Sequence, residues 1–231
     1  MVRIVNEVRL RILPRFRHRF APDYDAPVAA FLQQRIRPGM TCVNVGTNVG
    51  VYTLQFAHWS APGGQVIAFE PNPNTAAVLR EHVALNGLSR RVRVIQAAVA
   101  SQPGRATFHA SGTDGMSRLG TPNPLLVQTE TVQVDVTTLD LFCDQTGVRP
   151  DWILIDVEGF EVSVLRGARR ILSTTPAVGV VVEMHPDAWA IADTSRGDLE
   201  RLLGDLKRCA APLTGQTHAL GEHGLVHLAP A

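Results

Sequence analysis

A short apolar strand that leads through a glycine-bearing loop into a helix places the strongest limit on the fold of this 231-residue chain. Residues 41–45 read TCVNV, residues 46–50 read GTNVG, and residues 51–59 form a largely apolar segment of helical length. Parallel strands need long crossovers, which are usually helices, so a strand–loop–helix unit predicts an α/β protein.

The same alternation continues along the chain. We predict further strands at residues 65–69, 92–95, 152–155 and 178–183, and helices at residues 27–35, 51–59, 75–85, 160–172 and 198–209. Residues 152–155 read WILI, an apolar run that is typical of a strand covered on both faces. The pattern predicts a doubly wound, mostly parallel sheet with helices on both faces.

A polar stretch interrupts this alternation in the middle of the chain. Short strands are predicted at residues 106–109 and 131–136, on either side of a loop at residues 111–124. Thr137 or Thr138 can then cap a short helix that ends at Cys143. We expect a small β insertion here, and a terminal hairpin at residues 213–228.

The N-terminal residues 1–37 are expected to form a helical arm, and residues 38–231 the main domain. Ile4, Val5, Val8 and Ile12 fit one face of a helix that Pro14 ends. The first twenty residues carry a formal charge of +5, against +1 for the whole chain. The arm has two interpretations. In the first it contacts an anionic surface or partner. In the second, which we favour, it covers the active site or contributes to a homodimer. The overall charge does not favour nucleic acid as a partner.

The cysteines and the hydropathy indicate a cytoplasmic protein. Cys42, Cys143 and Cys209 lie far apart and show no zinc-ligand spacing, which is typical of free thiols in a reducing compartment. No apolar run approaches the ~18 residues of a membrane span, so we expect no transmembrane segment.

The ends of the predicted strands mark the expected binding site, because doubly wound sheets bind ligands beyond the carboxyl ends of their strands. The loop at residues 46–50 leads into a helix N-terminus, which suits a carboxylate or phosphate; by itself it is equally a tight turn. Glu70 ends the second strand, where a carboxylate can accept hydrogen bonds from both hydroxyls of a ribose. Together these features favour a nucleoside cofactor.

The spacing of the loop helps to choose between two cofactors. A dinucleotide site expects a second glycine where this chain has Asn48. An asparagine crowds a pyrophosphate but can bond to an amino-acid group, which favours S-adenosylmethionine. After the third strand, Gln96, Ala97 and Ala98 leave room for an adenine, although small residues there also suit helix packing.

Two carboxylates follow the fourth strand and a histidine follows the fifth. Asp156 and Glu158 are placed to order the reactive end of a cofactor, to bind substrate or to take a proton. Glu161 is expected to interact with a helix N-terminus. His185 titrates near neutral pH, so it is a candidate base as well as an ordinary strand-end histidine.

These segments resemble the FkbM family of methyltransferases. The resemblance runs from about Pro38 to Asp187 and rests, in chain order, on VNVGTNVGVYT, VIAFEPNP, VTTLD, IDVEGFEVSVLRGA and VVEMHP. It implies a seven-stranded, Rossmann-like class I methyltransferase fold. It also implies S-adenosylmethionine as methyl donor, S-adenosylhomocysteine as product and a small-molecule acceptor, often a natural-product or glycan hydroxyl.

The resemblance also implies roles for individual residues. The methionine part of the cofactor is expected beside the glycine loop, its ribose at Glu70, and the transferred methyl or the acceptor near Asp156 and Glu158. The full cofactor set is Asn44, Val45, Gly46, Thr47, Asn48, Gly50, Tyr52, Glu70, Pro71, Asn72, Gln96, Ala97, Ala98 and Asp156. Asn44 stands where the family usually carries aspartate; it keeps an acceptor oxygen but lacks the charge that favours an ammonium.

The expected chemistry leaves several alternatives open. His185, Asp156 or Glu158 is expected to act as the base, and Ser117 and Glu158 to contact the substrate. Two carboxylates could hold Mg²⁺, but no third ligand is evident, so no metal site is assigned. A weakened, non-catalytic binding module, with Asn44 as its mark, and a dinucleotide-dependent oxidoreductase are the alternative functions.

Overall fold

A computed structural model describes residues 1–110, 117–120 and 130–231. Its strands are β1 (Val2–Val5), β2 (Val8–Arg11), β3 (Thr41–Val45), β4 (Gln65–Phe69), β5 (Val92–Ile95), β6 (Ala98–Val99), β7 (Gly104–Ala110), β8 (Arg118–Leu119), β9 (Glu130–Thr137), β10 (Trp152–Ile155), β11 (Gly179–Met184), β12 (Arg208–Pro212) and β13 (Gly224–Pro230). Its α-helices are α1 (Ala26–Gln33), α2 (Val51–Trp59), α3 (Pro73–Leu85), α4 (Leu139–Thr146), α5 (Glu161–Gly167), α6 (Arg169–Thr174) and α7 (Arg196–Asp205), and two 3-10 helices span Pro14–Arg19 and Pro186–Ala192.

A seven-stranded sheet in the order β12-β13-β11-β10-β3-β4-β5 forms the centre of the fold. The strands from β11 to β5 are parallel, and the pairings of β13 with β11 and β12 are antiparallel. The predicted mostly parallel, doubly wound sheet is therefore confirmed. Ile155 pairs with Val45, and Val45 pairs with Phe69, so β10, β3 and β4 end level with one another.

Hydrophobic clusters cover both faces of this sheet. Cys42 packs with α1, α2, α3 and the N-terminal residues, whereas Val43 and Val45 pack with α4, α5, α6 and α7. Successive residues of a strand point to opposite faces, so a continuous apolar strand supplies both clusters. The expectation of helices on both faces is thus confirmed.

The predicted β insertion is present as a four-stranded sheet in the order β6-β9-β7-β8. Its strands β7 and β9 are antiparallel, and they enclose a small cluster around Phe108 and Val134. Most of the expected loop at residues 111–124 lies outside the described residues; Ser117, Arg118, Leu119 and Gly120 are within them.

The N-terminal helix prediction is wrong, because residues 2–11 form a β-hairpin. Val8 and Leu10 are buried while Arg9 and Arg11 are exposed, which is the period of two that a strand requires. Asn6 and Glu7 take positive φ values of 45° and 68°, as the two central residues of a tight hairpin turn do. The apolar residues that matched a helical face therefore belong to two paired strands.

Two further helix predictions need correction. The helix predicted at residues 160–172 is divided at Ala168 into α5 and α6. The helix predicted at residues 198–209 ends at Asp205, and Lys207 with φ 52° turns the chain into β12, so Cys209 lies in a strand. The terminal hairpin consequently pairs β12 with β13, and it begins earlier than predicted.

None of the helices in residues 1–110, 117–120 and 130–231 combines the length and the apolar character that crossing a bilayer requires.

Candidate functional site

A cavity of about 730 Å³ opens at the carboxyl ends of the central strands. Its size falls within the ~300–1,000 Å³ that is usual for small-molecule sites. Of the residues that the sequence predicted for the site, those on the cavity wall are Asn44, Val45, Gly46, Thr47, Asn48, Tyr52, Glu70, Pro71, Ala97, Ala98, Ser117, Asp156, Glu158 and His185. Gly50, Asn72 and Gln96 are not on this wall.

The two glycines of the loop at residues 46–50 allow the loop to pack closely against other parts of the chain. Gly46 has φ 79°, and a Cβ there would overlap the backbone carbonyl of Asp156. Gly50 has φ 99°, and a Cβ there would overlap the side chain of Leu79. The loop is thus held close to β10 and α3 by its glycines, and the residues between them face the cavity.

Glu70 is a buried carboxylate at the end of β4, with only 6% of its surface exposed. Its oxygens accept hydrogen bonds from the backbone N–H groups of Asn48 (2.8 Å) and Asn72 (2.9 Å). Burial raises the pKa of Glu70 to about 7, and the two backbone N–H groups oppose this shift. The carboxylate is therefore fixed in place and ionises near neutral pH.

The other two predicted residues away from the wall have structural contacts. The Asn72 side chain accepts hydrogen bonds from the backbone N–H groups of Asn74 and Thr75 and so caps α3. Gln96 is exposed, with its Oε1 atom 3.5 Å from the Arg80 guanidinium. Neither residue lines the cavity.

Two residues of the cavity wall each have a buried polar atom without a hydrogen-bond partner among the described residues: Oδ1 of Asn44 and Oγ1 of Thr47. Asn44 is 2% exposed, and its amide nitrogen donates to Oγ1 of Thr53 over 3.1 Å. An unsatisfied buried acceptor costs about 1–3 kcal/mol, so these atoms favour a ligand that brings hydrogen-bond donors.

Carboxylates and histidines gather at the ends of β10 and β11. Nε2 of His185 lies 3.9 Å from Oε1 of Glu158 and 4.0 Å from Oε1 of Glu183. Nε2 of His223, in the residue before β13, lies 3.2 Å from the same Glu183 oxygen. Asp156 directly follows β10 and lines the same part of the wall.

Glu161 fixes the His185 ring through the ring nitrogen that points away from the cavity. This carboxylate is fully buried and accepts hydrogen bonds from the backbone N–H of Gly159 (2.8 Å), from Nδ1 of His185 (2.9 Å) and from Nε1 of Trp189 (2.7 Å). Because Nδ1 is committed to Glu161, the other ring nitrogen of His185 faces the cavity. Glu161 does have the predicted position in the first turn of α5, but its contacts extend well beyond the helix end.

The cluster contains several carboxylates, and their burial and charges shift the pKa values of its groups. Burial raises the pKa of Asp156 well above its usual range and also raises that of Glu158 and Glu183. Burial acts to lower the pKa of His185, but the hydrogen bond and charge of Glu161, aided by Asp156, raise it to about 9. The surroundings thus favour a positive charge at His185, which argues against the predicted role of this ring as a base.

Several residues of the cavity wall were not predicted from the sequence. His18, Arg19 and Tyr24 come from the N-terminal segment, and His223 comes from the loop before β13. These four residues reach the cavity through tertiary packing that no local pattern reveals. Glu183 could have been predicted as a site residue from the sequence, because it lies at the end of a strand, as Glu70 does.

The sequence matches a known family of proteins. A family model described as the methyltransferase FkbM domain matches residues 44–210. The 2-O-methyltransferase NoeI of Sinorhizobium fredii is 29% identical over 153 residues, which cover 60% of this chain and 61% of NoeI. The 31-O-demethyl-FK506 methyltransferase FkbM of Streptomyces tacrolimicus is 43% identical over 82 residues, which cover 34% of this chain and 30% of that protein. The chain thus spans less than two thirds of either relative.

The fold resembles that of the SAH-bound Podospora anserina methyltransferase PaMTH1. The TM-score is 0.58 at 10% sequence identity, and the match covers 95% of this chain and 82% of that protein. This likeness confirms the predicted class of fold.

Proposed function

This chain belongs to the FkbM methyltransferase family, and we propose that it transfers a methyl group from S-adenosylmethionine to a hydroxyl of a small-molecule or glycan acceptor. The observation that carries this proposal is the cavity at the strand ends, which is lined by Glu70, a buried carboxylate, and by Asn44, whose Oδ1 atom has no hydrogen-bond partner among the residues that the structure describes. The names of the two relatives, both of which specify a methylated oxygen, support the hydroxyl as the acceptor group.

The residues on the wall fit this cofactor. An ionised Glu70 offers acceptor oxygens for the two ribose hydroxyls. Oδ1 of Asn44 and Oγ1 of Thr47 are buried acceptors without a partner in the described part of the chain, and an α-ammonium group would supply the missing donors. We assign Glu70 to the ribose and Asn44 and Thr47 to the amino-acid end.

The remaining predicted contacts follow from their places on the wall. Ala97 and Ala98 are small residues that leave room for a flat base, and Val45, Gly46, Asn48, Tyr52, Pro71 and Asp156 complete the proposed cofactor contacts. Oδ1 of Asn48 accepts a hydrogen bond from the backbone N–H of Val49 over 2.6 Å, so this side chain orders the loop. We assign no cofactor contact to the side chains of Asn72 and Gln96 or to Gly50.

When bound, S-adenosylmethionine supplies an activated methyl group on a sulfonium, so the protein mainly aligns the reactants and excludes water. A hydroxyl acceptor gains from removal of its proton. We assign this role to Glu158, a carboxylate that lines the cavity with 23% of its side chain exposed. Ser117 lies on the same wall, and we place the acceptor between Ser117 and Glu158.

Two measurements test the proposed function. S-adenosylhomocysteine should raise the unfolding temperature, because it binds only the folded protein. Transfer of labelled methyl groups from S-adenosylmethionine to a panel of polyols, oligosaccharides and macrolides should identify the acceptor. Absence of any thermal shift at millimolar S-adenosylhomocysteine would refute the cofactor assignment. Binding without transfer to any acceptor would favour a non-catalytic module.

We further propose a cytoplasmic location, supported by the three free cysteines, two of which are buried. A homodimer is proposed through the first hairpin, where Val2 and Ile4 are 43% and 62% exposed. Light scattering tests the dimer: the wild-type mass should be twice that of the chain, and Ile4→Arg should halve it.

A further inference from the structure

The cavity contains a set of metal-ligating side chains beyond the cofactor contacts. Glu183, His185 and His223 each direct one potential ligand atom into a space where the three atoms lie within 4.8 Å of one another. Glu183 lies in β11, His185 follows that strand, and His223 precedes β13. Pairing of Glu183 with Leu225 across these two strands brings the three side chains together.

The spacing of these atoms suits a single ion. Metal–ligand bonds to imidazole nitrogen and carboxylate oxygen are about 2.0–2.2 Å long, so two ligands of one ion lie no more than about 4.4 Å apart. The Glu183 oxygen is 3.2 Å from Nε2 of His223 and 4.0 Å from Nε2 of His185. Small side-chain rotations are therefore enough to bring the three atoms around an ion.

The buried contacts of His185 are those of a metal ligand. Ligating histidines usually donate their other ring nitrogen to a carboxylate, which fixes the ring and directs the free nitrogen at the ion. Here Nδ1 of His185 is 2.9 Å from the fully buried Glu161 carboxylate. Trp189 and the Gly159 backbone fix Glu161 in turn, so the direction of the His185 ring is set before any ligand arrives.

The charge of the cluster also suits a cation. Asp156 and Glu158 lie on the same wall, and together with His185 they form a second group whose ligand atoms lie within 4.8 Å of one another. Asp156, Glu158 and Glu183 thus each place a carboxylate oxygen within 4.8 Å of a ring nitrogen of His185. A divalent ion bound there would take the place of the proton on Nε2 of His185, because a ligating imidazole is neutral, and it would compensate the carboxylate charges.

We propose that Glu183, His185 and His223 bind one first-row divalent metal ion, with Glu161 as the residue that positions His185. Two imidazoles and one carboxylate favour an ion such as Zn²⁺ or Co²⁺ over Mg²⁺, which prefers oxygen ligands. Three protein ligands leave coordination positions open toward the cavity. This role rests on the proposed function: an ion held by Glu183, His185 and His223 would polarise the acceptor hydroxyl, and Glu158 would take its proton.

Direct binding of Co²⁺ to the cofactor-free, chelator-treated protein tests the site. We expect visible absorption bands that saturate at one Co²⁺ per chain and disappear when Zn²⁺ is added, with Mg²⁺ unable to displace Co²⁺ at equal concentration. His223→Ala removes an exposed ligand, so it should fold normally and weaken Co²⁺ binding at least tenfold. Glu161→Gln should weaken binding by about 10–100-fold, as loss of such a supporting carboxylate does.

His218→Ala is the matched control, because His218 is an exposed histidine in the same loop as His223. It should bind Co²⁺ like the wild type, and Cys209→Ser should do so as well. Absence of the absorption bands, or unchanged binding in both His223→Ala and His185→Ala, would overturn the proposal. The thermal shift with S-adenosylhomocysteine is recorded on the same samples: a retained shift without Co²⁺ binding refutes the metal site alone, whereas loss of the shift refutes the proposed function.

Discussion

The Glu70 carboxylate accepts a hydrogen bond of 2.8 Å from the backbone N–H of Asn48 and thereby joins the end of β4 to the loop after β3. These two segments belong to neighbouring parallel strands, so their ends are adjacent in space although 22 residues separate them in sequence. The bond makes Glu70 both a part of the loop structure and the proposed ribose ligand. The first two predictions test the second of these roles.

Glu70→Ala should weaken binding of S-adenosylhomocysteine by about 100-fold, because each lost hydrogen bond to a charged group is worth about 1.5–3 kcal/mol. Titration calorimetry measures the affinity. Glu81→Ala is the control, because Glu81 is an exposed glutamate on α3 whose nearest ion-pair contact is 3.9 Å long. An affinity of Glu70→Ala equal to that of Glu81→Ala would show that the ribose binds elsewhere.

Affinity for S-adenosylhomocysteine should rise with pH and level off above about pH 7. Burial raises the pKa of Glu70 to about 7, so the carboxyl is protonated below this pH and loses acceptor capacity for the ribose hydroxyls. Binding favours the ionised form and therefore releases a proton, and affinity should fall by up to about tenfold per pH unit below 7. Calorimetry at several pH values checks this. Glu70→Gln should bind weakly with a flatter profile, and an affinity that falls as pH rises would contradict the assignment.

Asn44→Asp should destabilise the cofactor-free protein and strengthen binding of S-adenosylhomocysteine. The new carboxylate is buried, and desolvation disfavours its charge unless the cofactor ammonium is present. Urea denaturation should show a loss of about 1–3 kcal/mol without ligand, and a larger ligand-induced gain than in the wild type. Asn74→Asp, at an exposed position near the start of α3, should change neither quantity much. Unchanged affinity in Asn44→Asp would mean that the ammonium does not contact this position.

Gly46→Ala should destabilise the fold by more than about 3 kcal/mol or prevent folding, because its Cβ would overlap the Asp156 carbonyl at a positive φ. Gly204→Ala is the matched control: Gly204 lies in α7 with nothing within 4 Å of an added Cβ, so alanine should stabilise the helix by up to about 1 kcal/mol. Denaturation midpoints decide between these outcomes. Equal stabilities of the two variants would show that the loop can move away from β10.

The central part of the fold could be read from the sequence because its signals are local. Residues 41–45, 65–69 and 152–155 are apolar and bounded by turn residues, and the predicted ends of these strands agree with the structure. The N-terminal hairpin could not be read in this way. Its apolar residues satisfy both a helical face and two short strands, and in the structure they pack into the main core, with β2 in contact with α2.

The site was predictable where it follows strand ends and unpredictable where it depends on packing between distant segments. Asp156 and Glu70 were found because the ends of parallel strands meet at one edge of the sheet. The contact between Glu161 and His185 joins a helix start to a strand end 24 residues away. No spacing rule predicts that contact, and Glu161 was expected only to interact with its own helix.

The wall of the cavity has two sources, and this has a consequence for how the protein can diversify. The proposed cofactor site is built from strand ends and from the tight loop at residues 46–50. A change in the backbone of either would disturb the site. The rest of the wall includes His18, Arg19 and Tyr24 from the N-terminal segment, Ser117 and Leu119 from the insertion, and His223. We expect substitutions at these positions to change the acceptor that the cavity admits, while the strand ends at the proposed methyl-donor site keep their backbone.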